Sequence, residues 1–190
     1  MANAHYPGTM RSLLAAALVA ATATSASAGT YLGLGIGTAA SPGGDIASMS
    51  NDGNRTGRLM LGTRFGRLSL EGAGSRYTLG HGATPYTGTM LAAALKYSLP
   101  LGNSFEAYGR GGLERTWLSN NNDGVWPDYA GNGWLLGAGF EYRLDLGVTA
   151  ASIFVDYEHS DTGVRDQARM QLPEKSETIG LWTAGVTLAI

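Results

Sequence analysis

No cysteine occurs among the 190 residues, so a disulfide framework is excluded and stability has to come from sheet closure and lipid. Clustered basic charge is missing too. The 13 Lys and Arg are scattered among 15 Asp and Glu, and no basic patch is available to neutralise phosphates, which excludes nucleic acid as a partner. Nor is there an apolar run long enough for a membrane-crossing helix: Leu13–Ala21 falls well short of the roughly 20 residues required. No helical repeat or linker divides the chain, and its length fits one domain after a leader.

That short apolar run has the form of an export signal. It follows Met10-Arg11 and leads into Thr22-Ala23-Thr24-Ser25-Ala26-Ser27-Ala28, with small residues at Ala26 and Ala28 for signal peptidase. Residues 1–28 are therefore expected to be a signal peptide, with Gly29 the mature start and Met10 an alternative translation start, because residues 1–9 carry no charge suited to the basic leader region. Arg11 is the only Lys, Arg, Asp or Glu in 1–28, so residues 29–190 keep 12 basic against 15 acidic side chains, a formal charge of −3.

What the chain does have is alternation. In 180–190, Trp182, Ala184, Val186, Leu188 and Ile190 share one face, and Thr183, Gly185, Thr187 and Ala189 the other. Seven earlier segments repeat the pattern, at 30–40, 55–65, 68–78, 87–99, 104–117, 134–143 and 148–159. Short turns at Gly66-Arg67, 100–103 and 144–147 alternate with longer polar connections at 41–54, around His81 and Pro85, at 118–133 and at 160–175. Eight strands, with loop lengths segregated between two ends, predict an all-β, eight-stranded antiparallel up-and-down transmembrane β-barrel at 29–190. A secreted β-sandwich would also alternate, but would not sort its loops in this way.

The inward phase of these strands holds Arg58, Arg64, Lys96 and Arg110 with Glu71, Glu106, Glu114, Glu141, Asp156 and Glu158. An eight-stranded barrel is only wide enough for side chains to fill. Opposite charges confined there should pair, helped by Tyr77 and Tyr108, as a polar plug rather than an ion gate. Many of the 29 glycines fall on the same face, at Gly33, Gly35, Gly37, Gly62, Gly112, Gly137, Gly139 and Gly185, where they would make room for the long side chains opposite.

Glu71 in Ser69-Leu70-Glu71-Gly72-Ala73, Lys96 in Leu95-Lys96-Tyr97-Ser98-Leu99-Pro100, Arg110 in Tyr108-Gly109-Arg110-Gly111-Gly112 and Glu141 in Gly139-Phe140-Glu141-Tyr142 resemble the OmpA/OmpX-type small outer-membrane barrel family, and the similarity covers the mature chain. The resemblance implies an integral protein of the Gram-negative outer membrane with an interior Glu/Lys/Arg network, in a family whose members are structural proteins, adhesins or surface antigens. It identifies fold and location better than role. Two departures stand out: the chain ends at strand eight, without the periplasmic peptidoglycan-binding domain of longer OmpA proteins, and Ile190 stands where the family's assembly signal usually has an aromatic, so less efficient insertion is expected.

Signals for chemistry are weak. His159-Ser160-Asp161 supplies the residue types of a hydrolytic triad, yet neighbours on a strand point to opposite faces, and lipid A deacylases place one residue between their His and Ser. His81 lies alone in a Gly-rich loop. Gly33-Leu34-Gly35-Ile36-Gly37 lacks the spacing and following helix of a nucleotide loop. Asp45, Asn51, Asp52 and Asn54, or Asp123 and Asp128, match no calcium-loop spacing and read as turn residues. No catalytic, cofactor-binding or metal residue is therefore assigned.

Trp117, Trp126, Tyr129, Trp134, Tyr86 and Trp182 at one end, with Tyr97, Phe105, Phe140, Tyr142 and Phe65 at the other, are expected to form interfacial girdles. Arg76 and Arg115 face outward near the external rim. The expected role is a monomeric, non-enzymatic barrel that supports the envelope or displays loops. A narrow solute channel and a lipid A-modifying enzyme are the alternatives. Its partners would be outer-membrane lipid and lipopolysaccharide, the barrel-assembly machinery during insertion, and a loop ligand that the sequence does not identify.

Overall fold

The computed structural model describes residues 29–45, 55–81, 84–120, 129–146, 149–166 and 175–190. The leader 1–28, Trp126 and the loop acids Asp52, Asp123 and Asp128 lie outside the described residues. The strands are β1 (Gly29–Gly37), β2 (Ser41–Gly44), β3 (Thr56–Phe65), β4 (Leu68–His81), β5 (Thr84–Pro100), β6 (Phe105–Asn120), β7 (Tyr129–Asp145), β8 (Ala150–Asp166) and β9 (Lys175–Ala189). Each of β3 to β8 pairs antiparallel with the next, and β1 pairs with both β3 and β9, closing an eight-membered ring. Closure removes every sheet edge from the bilayer, where an unpaired backbone group would be costly.

The alternation turns this sheet inside out. Leu34, Ile36, Leu59, Leu91, Leu95, Leu113, Leu136, Phe140, Ile153, Trp182 and Val186 are exposed on the outer wall. Arg58, Glu71, Lys96, Glu106, Arg110, Glu141, Asp156 and Glu158 are buried inside. Such a surface is stable only against lipid. The short turns β3–β4, β5–β6 and β7–β8, together with Gly29 and Ile190, share the end that corresponds to the periplasm, where Ile190 N–H donates to Thr30 O. The first of these turns uses Gly66 at φ 63°, a left-handed conformation that favours glycine.

The strands run further at the other end than their sequence boundaries predict. Ser160–Asp166 belongs to β8, Leu118–Asn120 to β6, and Tyr129–Gly133 to β7, while β4 and β5 reach His81 and Thr84 and shrink the second polar connection to residues 82 and 83. The predicted first loop also begins as a strand: after an irregular step at 38–40, Ser41–Gly44 pair with Gly180 back to Glu177. Polar residues such as Ser119, Asn132, Ser160 and Asp161 hid these extensions. Above the bilayer the outer face meets water, so polar residues there continue the strand instead of ending it.

The interior changes character at the same level. Ala40, Tyr77, Leu79, Met90, Leu118, Ile179 and Leu181 form a buried apolar cluster inside the external end, with Tyr86 and Tyr129 packed against it. Those two tyrosines therefore do not belong to the outer girdle. Their strand phase points them inward, where the ring displaces water from the cluster.

Candidate functional site

The candidate site is the lumen, and it is layered. Nearest the periplasm, Arg64 grips Glu106 with two hydrogen bonds of 2.9 Å, and Arg143 Nη2 lies 2.7 Å from the same carboxylate. One layer up, Lys96 Nζ sits 2.8 Å from Glu141 Oε2 and 3.5 Å from Glu71 Oε1, with the Tyr108 ring centroid 4.2 Å away. The Tyr31 hydroxyl donates to Glu71 from β1. Above this, Arg110 Nη2 contacts Asp156 at 2.9 Å and Glu158 at 2.8 Å, and its Nη1 lies 3.8 Å from Glu71. Arg58 completes the layer, 2.8 Å from Glu158 and 3.7 Å from Asp156. The Tyr108 hydroxyl donates to Asp156 at 3.0 Å.

All ten predicted interior charges thus point inward, and nine join ion pairs. The tenth, Glu114, does not: it accepts a hydrogen bond from Thr162 and has no basic partner among the described residues. Glu177 resembles it, accepting at 3.0 Å from the hydroxyl of Tyr77, a member of the apolar cluster. Thr162 and Glu177 are cross-strand partners, so the two carboxyls share one layer. Glu177 lies above the apolar outer band. Burial pushes its carboxyl up to about 7, against the lowering effect of the Tyr77 hydrogen bond, and the nearby Glu114 charge adds to the rise.

Glycines set the space for these layers. A Cβ at Gly137 would stand 2.8 Å from Arg110 Nε, and one at Gly139 would stand 2.8 Å from Tyr108 Cζ, so a larger residue at either position would displace a member of the network. This is the role the sequence pattern assigned to them. Glu177, Tyr31 and Arg143 were missed, although continuing the inward phase of β9 from Thr183 through Leu181 and Ile179 reaches Glu177.

The hydrolytic residue types are separated. His159 stacks on Trp134 at the outer wall, with ring centroids 5.9 Å apart, whereas Ser160 is buried on the inner face. Asp161 lies within β8 rather than in a loop, and accepts from Ser176 Oγ at 3.2 Å. Asp45, one of the acids considered for calcium, accepts from the Ser176 backbone N–H at 2.9 Å. Among the described residues no three of His, Cys, Asp or Glu are placed to hold a metal ion.

An inverted, closed antiparallel ring with a charged lumen is the architecture of a membrane barrel, and residues 12–187 match the family described as outer membrane protein beta-barrel domain. The chain belongs to that family. Its barrel is similar to the crystal structure of Neisserial surface protein A, with a TM-score of 0.70 at 15% identity over 87% of this chain and 100% of the other. It is also similar to Ail, the attachment invasion locus protein of Yersinia pestis, solved with the heparin analogue sucrose octasulfate (TM-score 0.55, 12% identity, 86% and 99% covered). OprG of Pseudomonas aeruginosa is a third likeness (0.50, 13%, 85% and 96%). No protein with a curated description matches the sequence. Identities this low speak to fold, and the family places the barrel in the Gram-negative outer membrane.

Proposed function

We propose that this barrel is a monomeric, non-enzymatic and non-conducting element of the outer membrane that supports the envelope and holds its external loops out for contact. The observation that carries this reading is the filling of the lumen. Arg58, Arg64, Lys96, Arg110 and Arg143 all touch carboxylates across its width, and an apolar cluster lies over them at the external end. An ion crossing this lumen would have to break several paired charges and then pass an apolar layer, both of which are costly. Strands that rise beyond the apolar band also give the loops a rigid base, as a displaying scaffold requires.

The purified protein should show no discrete conductance steps in planar bilayers at neutral pH, and its expression should leave the acyl composition of lipid A unchanged by mass spectrometry. Replacing the β6–β7 and β8–β9 loops with Gly-Ser should abolish whole-cell binding to host-surface ligands while leaving the barrel folded. Stable unitary conductance would replace this reading with a narrow channel, and loss of lipid A acyl chains would replace it with an enzyme.

A further inference from the structure

On the outer wall of β1, β3 and β9, small residues interrupt the large apolar ones. One row of outward residues runs Arg76, Gly57, Ile36, Ala184, Val155 across five paired strands. The next row towards the periplasm is Gly74, Leu59, Leu34, Val186, Ile153, and its members on β3, β1, β9 and β8 are all large. The small residues Gly57 and Ala184 on either side of Ile36 therefore leave the wall recessed. Two hollows result, of about 510 and 440 Å³, which share Ile36 and Ala184 and so form one furrow. A Cβ built on Gly57 would meet nothing within 4 Å.

The head of the furrow is cationic. Arg55 lines its upper end opposite Trp182. Arg76 is the cross-strand partner of Gly57 and faces the same side, since Ser75 and Tyr77 on either side of it are buried inside. Arg55 and Arg76 are thus diagonal neighbours on one face, a placement that sets Cβ atoms about 7–8 Å apart. Both are exposed, and neither has an ion-pair partner among the described residues. Two like charges side by side repel each other unless an anion lies between them. They stand at the upper margin of the apolar band, level with Trp182, where lipid headgroups begin.

We propose that this furrow is a binding site for a phosphorylated glycolipid of the outer leaflet, the lipid A portion of lipopolysaccharide, with a phosphate between Arg55 and Arg76 and one acyl chain lying beside Ile36 over Gly57 and Ala184. Charge complementarity selects the phosphate, and the recess supplies a seat that a uniformly large wall would deny. The site lies outside the lumen, so it does not depend on whether the barrel conducts.

The test uses the folded barrel in detergent, titrated with bis-phosphorylated lipid A carrying brominated acyl chains, and reads quenching of Trp182 as the difference between the wild type and Trp182→Phe. Saturable quenching is expected, with dephosphorylated lipid A binding at least about tenfold more weakly, the loss expected of one charge-assisted contact. Arg55→Gln and Arg76→Gln should each weaken binding by about tenfold. Gly57→Leu, whose Cβ would meet nothing within 4 Å, should fill the furrow and reduce quenching of Trp182 while heat-modifiable gel mobility reports an intact barrel. Equal binding of the phosphate-free lipid, binding by the double arginine variant within twofold of wild type, or unchanged quenching in Gly57→Leu would overturn the proposal.

Discussion

Replacing Lys96 by Met should destabilise the barrel by about 3–5 kcal/mol, the usual cost of removing one partner from a buried ion pair. Methionine keeps the length of the side chain, so the loss reports charge rather than a cavity. The ammonium sits between two carboxylates, 2.8 Å from Glu141 and 3.5 Å from Glu71. At an effective dielectric of ~20, charges at those separations attract by roughly 6 and 5 kcal/mol before desolvation is subtracted. Coulomb attraction alone would make the two partners nearly equal.

The remaining contacts make them unequal. Glu71 keeps the Tyr31 hydroxyl and has Arg110 at 3.8 Å, whereas Lys96 is the only ion-pair partner of Glu141 among the described residues. A double-mutant cycle of Lys96→Met with Glu141→Gln should therefore give a coupling of about 2 kcal/mol or more, and the cycle with Glu71→Gln about 1 kcal/mol or less. Equilibrium urea unfolding in lipid vesicles, followed by heat-modifiable gel mobility, measures both. A loss below about 1 kcal/mol, or equal coupling to the two glutamates, would refute the layered pairing.

Glu177 predicts a pH dependence. Its carboxyl is raised from 4.5 to about 7 in the fold, so stability is highest below about pH 4.5 and falls as pH rises through 7, by on the order of 3 kcal/mol for this group; Glu177→Gln should flatten that slope in unfolding midpoints taken from pH 4 to 8. Gly137→Val should cost about 1–3 kcal/mol through overpacking against Arg110 and Tyr157 O, read from the same unfolding curves; a neutral result would show that the network has slack. The double substitution His159→Ala with Ser160→Ala should leave folding and lipid A composition unaltered by mass spectrometry, because the two side chains lie on opposite faces of β8. N-terminal sequencing of the outer-membrane form should begin at Gly29, and retention of residues before it would refute the Ala26-Ser27-Ala28 cleavage site.

The fold could be read from the sequence because one physical rule governs most of the chain. Within the bilayer the outside is apolar and the inside is packed with paired charges, so period-two alternation identifies each strand and its facing together. Leu91, Ala93, Leu95, Tyr97 and Leu99 against Lys96 is enough to orient β5. The rule fails above the membrane. There water is outside, and the apolar members of the alternation move inward: Leu79 and Tyr77 are buried while Arg76 is exposed, and Ile179 and Leu181 are buried while Trp182 faces outward one step below. A reading that treats apolar as outward ends the strands where this inversion begins, which is why 160–166 and 129–133 were expected to be loop.

The site was half legible for a related reason. Strand phase specifies which side chains enter the lumen but says nothing about which meet, because pairing across a barrel depends on the vertical stagger of strands that are not neighbours. Arg58 on β3 reaches Glu158 on β8, and Lys96 on β5 reaches Glu141 on β7; no local spacing connects either pair. Stagger also decides which acids are left over. The four interior bases Arg58, Arg64, Lys96 and Arg110, with Arg143 at the exposed periplasmic rim, are matched by Glu71, Glu106, Glu141, Asp156 and Glu158. Glu114 and Glu177 lie further towards the external end, where hydroxyls such as those of Thr162 and Tyr77 are their partners. The barrel thus holds its paired charges in the lower lumen and its unpaired carboxyls buried towards the external end, where a proton can neutralise Glu177 at a pH close to neutral.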